Sequence, residues 1–312
     1  MRSNNNQILK LYKVGLFAVT LFFSLSSFSQ EIALTFDDAP VGDGAVFTGM
    51  ERTSRIIETL KKHEVAQVAF FVITSHINSE GLQRLKMYSD AGHLLANHSH
   101  SHNWIRSMGT ANYIRDIYKA DSTLKAIALP YQRWYRYPFL NEGQTKTSRD
   151  SIRAALTALS LMNAYVTIDN YDWYINGAMS RAIKSNAKID YNELKNVYLE
   201  HIWNSIQFYD NIGRQVLRRS PKHVLLLHEN DLAALFLDDL IQFLKNKGWK
   251  IISPQEAYSD PIAKEIPDVL FNGQGRVGAI GFANGLKPAM LVQESEDESY
   301  LDRLLMARKV FK

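Results

Sequence analysis

Short apolar runs alternate along this chain with stretches whose apolar positions recur every three or four residues. Glu31-Ile32-Ala33-Leu34-Thr35-Phe36 has strand character and runs into Asp37-Asp38-Ala39, with Pro40 as its stop. Val68 to Ile73 is an apolar run without a polar residue, the pattern of a strand buried on both faces. Further strands are predicted at 93–97, 134–139, 162–169, 223–227 and 249–252. Helical spacing is predicted over 53–62, 80–90, 111–127, 148–160, 191–217 and 231–245, with a break in the long helix at Gly213. Strand–helix alternation of this kind requires crossover connections and a parallel sheet. About seven units suit a distorted (β/α) barrel of the α/β class better than an open sheet.

No linker or repeat divides residues 30–255, which are expected to form one catalytic domain. After Pro254 the pattern weakens, and 256–312 is expected to be an extension packed on the barrel through Ile262, Ile266, Val269, Leu270, Phe271, Ile280 and Phe282. Glu294 to Glu298 has the look of a solvated acidic stretch. Gly273-Gln274-Gly275-Arg276-Val277-Gly278 matches the dinucleotide pattern G-x-G-x-x-G, but without a following βαβ unit the match carries no weight.

Composition changes the picture at two points. There is no cysteine, so disulfides, thiolate catalysis and Cys-ligated zinc are excluded, and any metal must use His, Asp or Glu. Residues 1–29 read as a cleavable secretory signal. Arg2, Lys10 and Lys13 precede an apolar core from Val14 to Leu25, and small residues at Ser27 and Ser29 place cleavage before Gln30. That core is short for a membrane span, so no stable span is expected after processing, and a secreted or periplasmic protein is. The signal removes three of the 36 basic residues and none of the 32 acidic ones, leaving 33 against 32, a net of +1. A nucleic-acid partner has no support in that charge.

The candidate chemistry clusters at strand C-termini. Asp37 and Asp38 end the first strand, His98 to His102 the third, Arg136 to Phe139 the fourth, Asp169 to Trp173 the fifth and His228 the sixth. In a parallel barrel these ends share one face, where active sites form. One carboxylate and two histidines would leave a metal position open to water. A helical turn would bring His98 and His102 together with His100 pointing away, whereas an extended segment would align all three. The other histidines, His63, His76, His93, His201 and His223, read as surface or lining residues.

Thr35-Phe36-Asp37-Asp38, His98-Ser99-x-x-His102, Arg136-x-Pro138-Phe139, Asp169-x-x-Asp172-Trp173 and Leu226-x-His228 together resemble the five ordered motifs of the polysaccharide deacetylase family, the NodB-type carbohydrate esterases. The resemblance spans about residues 31–255 and implies a distorted (β/α) barrel and a secreted metal-dependent hydrolase. Its substrate would be an N- or O-acetylated polysaccharide or oligosaccharide: peptidoglycan, chitin-like oligomers or xylan. By that resemblance Asp38, His98 and His102 hold a divalent metal, zinc in most members, and Asp37 is the general base. Arg136 pairs with Asp37 and keeps it ionised, His228 is the acid for the leaving group, and Asp172 orients His228. The Phe139 N–H faces the oxyanion, and Trp173 and Leu226 line the substrate pocket, although both also suit an apolar core. Asp169 is either a cap for the following turn or part of the site. Ala39 stands where the family often has Gly, which predicts a different path after the carboxylates. A metal-free hydrolase of C–N bonds on the same barrel and a non-catalytic carbohydrate-binding relic are the alternatives. The intact acidic and histidine residues argue against both.

Overall fold

Seven parallel strands form one sheet in the computed structural model, which describes residues 30–312; the segment read as a signal lies outside them. They are β1 (Glu31–Ala39), β2 (Ala69–Val72), β3 (Leu94–Asn97), β4 (Trp134–Tyr135), β5 (Met162–Asn163), β6 (His223–His228) and β7 (Lys250–Ile251). Their order is β5-β4-β3-β2-β1-β6, and β7 pairs with the start of β1. A single parallel bridge, Ile168 to Leu225, joins the chain beyond β5 to β6 at the other end of the sheet. The result is the α/β architecture expected, a parallel barrel distorted at that seam.

β1 is the hub. Its residues pair with β2 on one side and β6 on the other, and its apolar side chains are fully buried. Burial on both faces is what removes polar alternation from such strands. The register sets Asp37 beside His228 and Ala39 beside Val72, so the ends of β1, β2 and β6 meet at one level. β3 continues that level, with Asn97 opposite Val72 and Tyr135.

Several predicted bounds shift for local reasons. The first helix begins at Gly49 and not at 53, because Thr48 and Glu51 form a reciprocal capping box. The predicted strand 134–139 pairs only over two residues. Pro138 has no N–H to donate, and Phe139 and Leu140 take left-handed backbone angles of φ 56° and 49°. The predicted strand 162–169 likewise leaves β4 after Asn163 and crosses to β6, where the Thr167 and Ile168 N–H groups donate to the Val224 carbonyl. The long helix Tyr191–Leu217 runs through Gly213 without a break, and the glycine admits Pro221 at 3.1 Å from where a Cβ would stand. The helix Asp172–Lys184 was not anticipated, although Ile175, Ala178, Met179 and Ala182 carry its buried face at helical spacing.

The extension is threaded into the barrel. A boundary at 255/256 falls inside the helix Pro254–Tyr258, and the helices Gly275–Ala283 and Glu298–Ala307 pack on Tyr191–Leu217 and Asp172–Lys184. Ile262, Val277, Leu291, Leu301, Leu305 and Val310 are buried, whereas Ile266 and Leu270 are exposed, contrary to their expected inward role. The G-x-G-x-x-G segment is a packing turn: Gly275 has φ 70° and lies so close to the Val166 carbonyl that a Cβ would stand 2.6 Å from it. No helix among the described residues is long and apolar enough to cross a membrane.

Candidate active site

Successive side chains of a strand point to opposite faces, so Asp37 and Asp38 should diverge. They converge because Asp38 leaves the strand conformation with φ 73°, a backbone state that Asp tolerates better than most residues. Ala39 stays in β1 without a positive φ, so the path expected to change at Ala39 turns instead at Asp38.

The His98–His102 segment is neither an extended strand nor a helix. Asn97 Oδ1 accepts the Ser99 N–H at 2.8 Å, and Ser99 Oγ accepts the His102 N–H at 2.9 Å. Asp116 accepts the N–H groups of His100 and Ser101. This turn brings His98 and His102 together and sends His100 to Thr74 Oγ1, 2.9 Å away. The donor atoms of Asp38, His98 and His102 all lie within 4.8 Å of one another. Asp38 Oδ1 stands 3.6 Å from His98 Nε2 and 3.5 Å from His102 Nε2. Those separations match the roughly 3.4 Å edge of a tetrahedron whose vertices lie about 2.1 Å from a central zinc-like ion.

Three further observations fit a divalent ion. Asp38 Oδ1 is buried and has no hydrogen-bond donor. Burial and mutual repulsion push His98 well below the usual imidazole range, and burial lowers His102 as well, which favours the neutral ligating form. His98 Nδ1 lies 2.9 Å from the Arg136 carbonyl; that contact orients the ring with Nε2 toward the cluster, the usual outer support of a ligating histidine.

Arg136 lies fully buried behind Asp37. Its Nη1 donates to Asp37 Oδ1 at 2.7 Å and to Thr35 Oγ1 at 2.8 Å, and its Nη2 donates to Tyr258 Oη at 2.9 Å. The guanidinium also stacks 3.8 Å over the Phe71 ring. The expected pair is present, but its electrostatic consequence differs. Burial raises the Asp37 pKa, and Arg136 only partly offsets this, so the carboxyl lies above its ordinary range. Asp172, also fully buried, places Oδ1 2.6 Å from His228 Nδ1 and accepts the His228 backbone N–H through Oδ2. Burial is the largest single influence and would lower His228, but the Asp172 charge and hydrogen bond, together with the Asp38 and Asp37 charges, outweigh it and raise it to about 10.

Asp37, Asp38, His98, His102, Phe139, Trp173, Leu226 and His228 line one cleft of about 430 Å³, within the size range of small-molecule sites; Arg136 and Asp172 stand behind it. Trp173 is 41% exposed and Leu226 is buried in the wall. Among the described residues no acceptor takes the Phe139 N–H.

The cleft also holds residues that the sequence reading missed. Trp104 lies two positions beyond His102, and its place directly after the His cluster was the available signal. Asp169 was not missed: the sequence left it between a cap and part of the site, and it lines the cleft, where burial together with the Glu296 charge pushes its carboxyl up. Glu296, expected to be solvated, is buried against Tyr209, and burial raises it to about 7. Gln274 and Glu298 bring the extension to the cleft wall. His93, His201 and His223 are buried in the fold and not on its surface. His201 Nε2 accepts the Tyr171 N–H, and His223 sits between Asp210 and Thr167.

Comparison with known proteins adds a partial match. The polysaccharide deacetylase family model matches residues 27–158. Over that stretch, under half of the chain, the sequence is similar to polysaccharide deacetylases. It is 28% identical over 159 residues to a peptidoglycan-N-acetylglucosamine deacetylase from Bacillus cereus, an alignment covering 50% of each chain, so this protein spans about half the length of that relative. A CE4 family pseudoenzyme from Bacillus anthracis has the same fold at 21% identity, with a TM-score of 0.50, over 74% of this chain and 66% of its own. A mutant of it with restored enzymatic activity aligns at 22% identity and the same TM-score, over 74% of this chain and 68% of its own. Those two likenesses speak for the barrel alone. In this protein, the argument for chemistry rests on the cleft.

Proposed function

We propose that this protein is a secreted, metal-dependent deacetylase of N- or O-acetylated polysaccharide. One observation carries the reading. An Asp38–His98–His102 cluster, with His98 buried and an unpartnered ligand oxygen on Asp38, shares a cleft with an arginine-backed carboxylate and an aspartate-backed histidine. A divalent metal held by those three residues, with zinc the best match to an all-N/O set, would supply Lewis-acid polarisation of the acetyl carbonyl and a more acidic water.

The chain's own residues divide the remaining work. Asp37 keeps Oδ1 on Arg136 and presents Oδ2, which lies 3.6 Å from His98, to take the proton of the attacking water. The Phe139 N–H, without a protein acceptor, can donate to the carbonyl oxygen as it gains charge. His228, held charged by Asp172, gives its Nε2 proton to the departing amine nitrogen or alcohol oxygen as the bond to the acetyl carbon breaks. Acetate leaves, and the proton held on Asp37 and the one lost by His228 balance the water consumed. The relative's name points to N-acetylglucosamine polymers as the first substrates to try.

The test is acetate release from acetylated peptidoglycan, chitin oligomers and xylan, with metal analysis of the purified protein. About one divalent ion per chain is expected, with activity lost on chelation and restored by re-addition. A metal-loaded protein that releases no acetate from any of these glycans would sink the reading.

A further inference from the structure

The indole of Trp104 lies flat on the Phe139 ring, with centroids 3.8 Å apart and planes 5° apart, and Phe139 in turn meets the His102 imidazole at 4.6 Å. Both aromatic residues line the cleft, yet they remain 38% and 37% exposed. Large aromatic side chains are normally drawn into the core. Here two are stacked at the rim beside the metal-ligand candidates. A second aromatic pair, Trp173 against Tyr171 at 5.1 Å, belongs to the segment that carries Asp172 and so to the His228 side of the cleft. The two pairs come from separate elements: the turn after β3 with the turn after β4, and the start of the helix Asp172–Lys184.

We propose that Trp104, backed by Phe139, is the stacking platform for a neighbouring pyranose ring of the glycan, one sugar removed from the acetylated unit on the metal side. This rests on the deacetylase reading and extends it from a single acetyl group to an oligosaccharide. The C–H face of a β-linked pyranose is flat and weakly apolar, and it stacks on an aromatic plane while its equatorial hydroxyls point outward. The Arg106 guanidinium lies 5.1 Å from the Trp104 ring centroid. Because the guanidinium stands over the indole, a sugar that stacks there displaces it toward the rim, where its donors can meet the ring hydroxyls. The Phe139 backbone, at φ 56°, is held in an unfavourable conformation, so the same stack also fixes the turn that presents the Phe139 N–H.

The experiment compares wild type, Trp104→Leu and Trp104→Tyr on N-acetylglucosamine oligomers of one to four units. Leu keeps an apolar contact with Phe139 but removes the flat face; Tyr restores a flat face. The platform predicts that the KM ratio of Trp104→Leu to wild type grows with chain length, to about ten-fold on the tetramer, with Trp104→Tyr recovering most of it. Quenching of tryptophan emission by the tetramer should weaken in the Leu variant by a similar factor. A Leu variant that loses kcat equally on every length, with KM unchanged, would overturn the platform and leave Trp104 as a clasp for Phe139. Wild type that binds the tetramer through Trp104 but releases no acetate would overturn the deacetylase reading and leave the platform standing.

Discussion

Two ionic clusters, one buried throughout and one open to the cleft at Asp38, sit within a few residues of each other at the ends of β1 and β6, and they are built on opposite rules. In the first, Arg52 and Arg84 face Glu229 and Asp231. Glu229 Oε1 accepts from Arg52, Arg84 and Tyr88, and its Oε2 accepts from Arg84 and the Val41 N–H. Asp231 accepts from Arg52 and the Val46 N–H. Two cations meet two anions, and every carboxylate oxygen has a donor. In the second cluster, Asp37 has one arginine, Asp38 has none, and Asp38 Oδ1 is buried without a donor. A saturated network fixes the loop after β1. An unsaturated one is costly unless something else supplies the missing positive charge. Charge alone does not separate scaffold from site here; satisfaction does.

Substitutions that break one cluster and spare the other sharpen this contrast. His98→Ala should abolish both metal uptake and acetate release while leaving the fold intact, whereas His100→Ala should retain both. Metal content by elemental analysis decides it, and a His100 variant that loses the metal would show the ligand set to be wrong. Glu229→Leu should do the reverse, leaving two buried guanidinium groups unpaired and costing about 3–5 kcal/mol in chemical denaturation. A cost below about 1 kcal/mol would mean that the network is not a scaffold.

Asp172→Asn tests the histidine side. His228 is raised to about 10 in the folded protein, against about 6.5 for a free imidazole. The stability this pairing contributes is therefore complete below pH about 6.5 and is lost as pH rises through about 10. In the variant the alkaline limb of the rate profile should move to lower pH, and the loss of stability relative to wild type should shrink toward pH 10. An unmoved limb would remove Asp172 from its orienting role. The smallest effect should come from Tyr258→Phe, which deletes the bond that Arg136 donates to the hydroxyl and the one the hydroxyl donates to the Tyr165 carbonyl. It should cost about 1.5–3 kcal/mol of stability, with a modest fall in kcat.

The barrel and the ordered site were legible in the sequence because both rest on local pattern. The buried run at 68–73, the strand–helix alternation and the polar residues at strand ends follow from periodicity. A parallel sheet then gathers those ends on one face. Four matters were decided only in three dimensions. The two adjacent carboxylates converge because Asp38 takes φ 73°, and two of the three clustered histidines meet because Asn97, Ser99 and Asp116 shape their turn. Trp104 gained its place in the cleft by stacking on Phe139, 35 residues away in the chain, and no spacing rule predicts such a contact. The fate of the extension was also tertiary. Tyr258 reaches Arg136, and Gln274 and Glu298 reach the cleft wall, because the segment is short of periodicity but long enough to fold back across the barrel. Sequence periodicity reports which face of an element is apolar. Which donor finally meets which acceptor depends on distances that only the folded chain defines.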